Sequence, residues 1–232
     1  MNKFFINYAS NGFYHSQQYA IDQAKKFNFN TIAYNETNID ENFKNKNKEI
    51  LSNKRGAGYW LWKPYIISKT LRTLDNGDYL VYMDSGACIV KDVDNILRMV
   101  DHKGILTFSM KQKISKWTKG DCFYILNKTN KNNFKDNDQI QATYIFIKKC
   151  NHSVDFIDKW LEYCTNKNLL TDIDNKHMNN FEDFIDHRHD QAILSLMVYN
   201  ENIMYIPQID QYSKEHGYGD DWVLVNRHGN RS

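Results

Sequence analysis

Apolar residues along this chain fall into short runs separated by polar stretches, and the spacing within each run predicts an element. Phe4-Phe5-Ile6-Asn7-Tyr8 has the composition of a first strand, followed by the polar turn Ser10-Asn11-Gly12. From about His15 to Phe27, Tyr19, Ile21 and Ala24 recur on or near one helical face. Thr31-Ile32-Ala33-Tyr34 predicts a short second strand, and the Asn/Lys-rich stretch from Asn35 to Lys54 predicts helix and loop. Pro64 suits the opening of a helix, where a missing N–H costs no intrahelical bond; Ile66, Ile67, Thr70, Leu71 and Leu74 follow at helical spacing. After the turn Asp75-Asn76-Gly77 comes the clearest buried strand, Asp78-Tyr79-Leu80-Val81-Tyr82-Met83, ending at Asp84-Ser85-Gly86. A helix over about Val93–Val100, a strand over Gly104–Ser109 and a long strand over Gln139–Ile147, alternating at first, come next. Helices over about Ser153–Tyr163 and Gln191–Tyr199, a short strand at Met204–Ile206 and a polar tail complete the pattern.

Strands interleaved with helices predict an α/β fold, a mostly parallel central sheet flanked by helices on both faces. The 232 residues form one domain on this view, since two prolines and ten glycines leave little material for long linkers. Ligands of such sheets sit beyond the carboxyl ends of the strands. That rule points to Asn7–Ser10, Asp84–Gly86 and the loops after Ser109 and Ile206. With 41% hydrophobic and 14% aromatic residues, a packed core needs no disulfide staple. Thirty basic and 28 acidic residues give a formal charge of +2 without a basic arm, so nucleic acid is not an expected partner. Cys88, Cys122, Cys150 and Cys164 are scattered, as in a reducing compartment. No apolar run approaches the ~20 residues of a membrane span and no signal-like segment follows Met1, so a cytoplasmic protein without a transmembrane segment is expected.

Four segments carry candidate chemistry. Asp84-Ser85-Gly86 sets a carboxylate at a strand end, suited to a hard cation that neutralises a diphosphate; capping a turn is the simpler role. Arg55-Gly56-Ala57-Gly58-Tyr59-Trp60-Leu61-Trp62-Lys63-Pro64 combines a flexible basic-glycine loop with two tryptophans and a lysine at a helix start. Arg55 and Lys63 suit phosphate oxygens, and the tryptophans suit a base, a sugar or the core. It matches neither the G-x-x-x-x-G-K-[ST] nor the G-x-G-x-x-G pattern. Asp186-His187-Arg188-His189-Asp190-Gln191 leads into an apolar helix; Asp190 sits where an N-cap belongs and equally where a base can take a hydroxyl proton. His187 and His189 are spaced like zinc ligands on a strand. The tail Asn226-Arg227-His228-Gly229-Asn230-Arg231 is polar enough to fray, or to fold over a diphosphate.

In this order, the segments Arg55–Pro64, Asp78–Gly86 and His187–Ser195 resemble a family of small GT-A-fold glycosyltransferases from bacterial polysaccharide loci and large DNA viruses. The resemblance implies a GT-A (Rossmann-like) domain with a nucleotide-sugar donor (UDP-, GDP- or dTDP-linked) and a glycan acceptor. It places the nucleotide beside Asn7, Tyr8 and Ala9, and the donor diphosphate near Arg55, Lys63, Asp84, Ser85, Gly86, Arg188 and Arg231. It also implies Mn²⁺ or Mg²⁺ at the D-x-D position, where this chain keeps Asp84 but has Gly86 in place of the second carboxylate; a late histidine, His228, is the expected further ligand. Asp190 falls at the position of the catalytic base of inverting relatives, and in retaining relatives the same region supports the sugar. Trp117, Asp121 and His189 are expected at the acceptor. A metal-dependent hydrolase using Asp84 with His187 and His189, or a non-catalytic nucleotide- or glycan-binding module, are the alternatives.

Overall fold

A computed structural model of the chain describes every residue except 11, 128–133, 217–220 and 226–232. Strands β1 (Lys3–Tyr8), β2 (Asn30–Tyr34) and β3 (Tyr79–Met83) share one central sheet with β5 (Ile105–Lys113), β6 (Asp138–Lys148) and β7 (Met204–Pro207). Their spatial order is β2-β1-β3-β6-β5-β7. β1 runs parallel to β2 and β3, and β5 runs parallel to β7. β6 runs antiparallel to both of its neighbours, β3 and β5. The sheet is thus mostly parallel with one reversed strand in its middle. Alternation along Gln139–Ile147 marks faces of a strand but carries no information about its direction.

Five helices matter for the site: α1 (Tyr14–Lys26), α2 (Trp62–Leu71), α3 (Gly120–Leu126), α4 (Asn151–Thr165) and α5 (His189–Asn200). On one face of the sheet, Ile66 and Leu71 of α2, Phe156 and Trp160 of α4 and Ile193 and Leu196 of α5 meet Ile145 and Ile147 of β6. On the other, Ala20, Ile21 and Ala24 of α1 pack with Phe5, Val81 and Phe146. Burying a single large aliphatic side chain contributes about 1.5–3 kcal/mol, so these two layers supply the main driving force. Helix α4 begins with a reciprocal cap between Cys150 and Ser153 and buries the stripe Phe156, Ile157, Trp160 and Cys164. Trp160 Nε1 then donates to Asp190 O at 3.0 Å, which ties α4 to the first turn of α5.

Helix α5 is buried from His189 to Val198 apart from Gln191, so it behaves as a core helix rather than a surface one. Ser195 Oγ accepts from Ile140 N (2.9 Å) and donates to Ile140 O (3.1 Å), fixing α5 on β6. Several elements depart from the sequence expectation. The helix over Val93–Val100 contracts to Asp94–Leu97. Helix α3 was not expected, and the polar tail contains a strand, β8 (Val223–Val225), that pairs antiparallel with β4 (Ala87–Ile89). Three-residue strands are too short for periodicity to reveal. Among the described residues no helix is long and apolar enough to cross a membrane.

Candidate active site

The carboxyl ends of β1, β3, β5 and β7 open into a cleft of about 1100 Å³. Because β6 is reversed, Gln139, Gln141, Ala142 and Thr143 near its start enter the same cleft. Pairing between β5 and β6 is broken here: Phe108 faces Gln141, whereas Leu106 faces Phe146. Around it, β6 backbone groups bond partners outside the β5–β6 ladder. Asp84 N donates to Thr143 O (2.7 Å), Lys63 Nζ to Ala142 O (3.0 Å), and Ala142 N to Gln191 Oε1 (3.1 Å).

The floor is an ionic bridge. Lys63, in the first turn of α2 and 3% exposed, lies 2.9 Å from Asp190 Oδ2 and 3.3 Å from Asp84 Oδ1. Pro64 follows it in that same turn, where the missing N–H breaks no helical bond. Tyr82, two residues before Asp84 in the chain, donates its hydroxyl to Asp84 Oδ1. Burial works against the Lys63 ammonium, but the Asp190 and Asp84 carboxylates overcome it and hold its pKa above the usual lysine value. Burial likewise pushes the Asp190 carboxyl up to about 6, against the pull of Lys63 and with the charge of Asp84 adding to the rise. Asp84 is the open end of the bridge, with 34% of its side chain exposed.

The wall opposite is a left-handed turn. Gly56, Ala57, Gly58, Tyr59 and Trp60 all have positive φ (57°, 50°, 97°, 53° and 59°). Tyr59 N donates to Arg55 O (2.7 Å) and Trp60 N to Gly56 O (3.1 Å), so the segment is a hydrogen-bonded turn rather than the flexible loop its glycines suggested. Each non-glycine residue in this region costs about 1–2 kcal/mol. Packing holds the turn in place: Trp62 Nε1 donates to Gly56 O (2.9 Å), and Trp60 stacks on His189. A Cβ on Gly56 would lie 2.3 Å from the Trp60 ring, so glycine there is a steric requirement as well.

The expected site residues distribute unevenly around this geometry. Tyr8, Arg55, Lys63, Asp84, Ser85 and Gly86 line the cleft, as do Trp117, Arg188, His189 and Asp190. Asn7 and Ala9 are buried and do not line it. Lys63 and Arg55 were expected to balance a diphosphate, yet both are committed within the chain. Arg55 pairs with Asp172 (3.0 Å) and Asp186 (2.7 Å), and Lys63 holds the two carboxylates. Asp190 is not the N-cap: Arg188 occupies that position, and the Asp190 carboxylate turns to Lys63. Asp121 is fully buried and accepts from the backbone N–H groups of Lys176, His177 and Met178 (2.8–3.2 Å). Burial opposes its charge, but those amides hold its carboxyl below the usual range, so it anchors a loop instead of meeting an acceptor. His187 and His189 do not form the zinc pair their spacing allowed. His187 Nε2 bonds Leu169 O and His189 Nδ1 bonds Leu170 O, both at 2.7 Å, and burial depresses both imidazole pKa values. His228, Arg227 and Arg231 lie outside the described residues.

Trp62 is mainly a core residue, stacked on Tyr8 with ring centroids 4.0 Å apart. A row of carboxamides lies, Gln191 apart, outside the four sequence segments. Gln112, Gln139, Gln141, Gln191 and Gln208 all line the cleft. Gln191 Nε2 donates to Gln139 Oε1 (2.7 Å), Gln139 Nε2 to Trp117 O (3.4 Å), and Trp117 Nε1 to Gln112 Oε1 (3.0 Å). The Arg188 guanidinium covers the Trp117 ring at 4.2 Å. Trp117 is therefore fixed from three directions. Polar residues alternating through the opening of β6 were the available signal.

For a cation, Asp84 supplies a hard oxygen donor at the open end of the bridge. Among the described residues no group of three or more His, Cys, Asp or Glu side chains converges on a metal position. This donor set fits Mg²⁺ or Mn²⁺ held largely by phosphate oxygens, which needs only one or two carboxylates, and does not fit a closed protein-only centre.

No protein-family model matches the sequence, and no curated protein does. Solved structures do match in fold. The WbbM bifunctional glycosyltransferase superposes with a TM-score of 0.58 at 11% identity, over 97% of this chain but 46% of its own. This chain thus spans about half of that protein's length. Mouse xyloside xylosyltransferase 1 gives a TM-score of 0.52 at 6% identity over 98% of both chains. The galactosyltransferase LgtC, solved with donor and acceptor sugar analogues, gives 0.52 at 9% identity over 96% of this chain and 86% of its own. The chain has the GT-A fold.

Proposed function

We propose that this chain is a glycosyltransferase that moves a sugar from a nucleotide-sugar donor to a hydroxyl of a glycan acceptor. The observation that carries the proposal is the Asp84–Lys63–Asp190 bridge on the cleft floor. It places a half-open carboxylate and a buried carboxylate of raised pKa on either side of one ammonium. Asp84, with the donor's phosphates, would hold Mn²⁺ or Mg²⁺. When bound, that cation neutralises the charge building on the departing diphosphate.

The chain's own residues do the rest. Lys63 keeps the two carboxylates apart in charge and fixed in position, and Tyr82 orients Asp84. Asp190 accepts the proton of the acceptor hydroxyl as its oxygen bonds to the anomeric carbon. The bond from that carbon to the phosphate oxygen breaks, and its electron pair leaves with the nucleoside diphosphate. The transition state is oxocarbenium-like, as in glycoside hydrolysis. A base with a pKa near 6 is largely ionised at neutral pH yet basic enough to help. The histidine hydrolase alternative loses support, because both ring nitrogens of His187 are hydrogen-bonded to backbone, and among the described residues no group of three or more His, Cys, Asp or Glu side chains converges on a metal position.

Asp84→Ala tests the assignment. Incubated with UDP-, GDP- and dTDP-sugars, Mn²⁺ and a panel of glycosides, the wild type is expected to release nucleoside diphosphate in an acceptor-dependent way. The folded variant is expected to lose at least about 100-fold of that rate, the scale of removing a main electrostatic contact to the leaving group. A folded variant with full transfer refutes the role of Asp84, and acceptor-independent release by the wild type points to hydrolysis.

A further inference from the structure

We propose that Gln141 is a sugar-binding residue whose side-chain amide receives a pyranose hydroxyl in the cleft; this rests on the transferase reading above and names a determinant of its substrate. Gln141 lines the cleft and is only 4% exposed, yet its Nε2 makes no hydrogen bond within the chain. The Tyr144 hydroxyl feels this amide, but the bonds of good geometry that it makes are its donation to Asp210 Oδ2 (3.0 Å) and its acceptance from Ile209 N (2.9 Å). Its neighbours differ in this respect. Gln139 and Gln191 both spend their amide nitrogens, on Trp117 O and on Gln139 Oε1. A buried amide without a partner is costly in the free protein, and the cost is recovered when a ligand completes the bond.

Position and chemistry indicate which ligand group that is. Gln141 immediately precedes Ala142, whose carbonyl holds Lys63 and whose N–H bonds Gln191, so it sits next to the ionic bridge. A carboxamide both donates and accepts, which matches a hydroxyl; a phosphate offers acceptors alone. Trp117 lines the same cleft with its indole held by Gln112, and an aromatic ring suits the apolar face of a pyranose. The hydroxyl belongs either to the donor's sugar or to the acceptor's, and the two sources separate by experiment.

The test is Gln141→Met, which keeps the volume and removes the amide. Because it deletes an unsatisfied group, the ligand-free variant is expected to melt at or above the wild-type temperature. Binding is measured by calorimetry with UDP, GDP and dTDP, with UDP-glucose, GDP-mannose and dTDP-glucose, and with methyl glucoside, galactoside and mannoside, all with Mn²⁺. About tenfold weaker binding of a nucleotide sugar, with its nucleoside diphosphate unchanged, places the hydroxyl on the donor. The same loss for a methyl glycoside places it on the acceptor. Equal affinities for every ligand overturn the proposal, as does a lowered melting temperature with uniform losses, which marks a structural residue. Wild-type binding of a glycoside through Gln141 without any nucleotide binding refutes the transferase reading and keeps the sugar site. Nucleotide binding with no sugar sensitive to Gln141 does the reverse, and a wild type that binds none of the ligands refutes both.

Discussion

Lys63→Met is expected to cost the protein about 3–5 kcal/mol of stability at neutral pH, the usual result of breaking a buried ion pair from one side. The ammonium is 3% exposed, donates to Ala142 O and pairs in charge with Asp190 and Asp84. Without it, Asp190 is a buried carboxylate with no counter-charge, beside a carbonyl that has lost its donor. For a chain of this length the deficit corresponds to a melting temperature lower by about 6–20 °C. The loss also depends on pH. Burial already raises the Asp190 pKa to about 6, above the unfolded value of 3.8, and Lys63 is what restrains it. Removing Lys63 raises the folded-state pKa further, so the folded protein holds its proton to higher pH. Stability linked to a raised carboxyl pKa is present below the unfolded value and falls as pH rises through the folded one. The deficit should therefore be small near pH 4 and grow toward pH 8. Thermal melts across that range check it; a constant difference of less than 2 °C would show that the bridge contributes little.

Asp190→Asn separates chemistry from architecture. The substitution keeps size and one acceptor oxygen, Asp84 remains as counter-charge for the Lys63 ammonium, and Trp160 still donates to the backbone carbonyl of residue 190, so a folded variant is the one to assay. Transfer is expected to fall by about 10²–10⁴, the contribution of a positioned general base. Donor binding should stay within a few-fold, since the open carboxylate is that of Asp84. The wild-type rate should rise with pH through about 6, as Asp190 ionises, and the variant's residual rate should lack that limb. Single-turnover rates from pH 5 to 8 decide it. A variant within tenfold of wild type across that range assigns Asp190 a supporting role for the sugar, and one that loses binding and turnover together marks a structural residue.

Much of this arrangement was legible in the sequence. Tyr79–Met83 announced itself by an apolar run ending at Asp84, and the rule that ligands meet strand ends located the cleft from β1 and β3. Asp190 stood out because a charged hexapeptide leads into an apolar helix. What pattern could not show was direction and partnership. Alternation in β6 is the same for either strand polarity, so the entry of Gln139, Gln141, Ala142 and Thr143 into the cleft was invisible. Lys63 and Arg55 carry the charge expected of phosphate ligands, but whether a cation faces solvent or a carboxylate is decided by residues more than 20 and more than 100 positions away. Asp121 shows the converse: three backbone amides of a distant loop claim it, and no local signal records them. The GAG sequence of Gly56–Gly58 suggested freedom, whereas packing of Trp60 and Trp62 fixes it as a left-handed turn.

Calorimetric titration of the wild-type chain with UDP, GDP and dTDP, each with and without Mn²⁺, tests most directly whether this floor receives a pyrophosphate. At least one nucleotide is expected to bind with micromolar affinity in the presence of Mn²⁺ and markedly more weakly without it, with Asp84→Asn abolishing the difference. Heats indistinguishable from dilution for all three nucleotides, or manganese-dependent binding that survives the loss of the Asp84 carboxylate, would contradict the account.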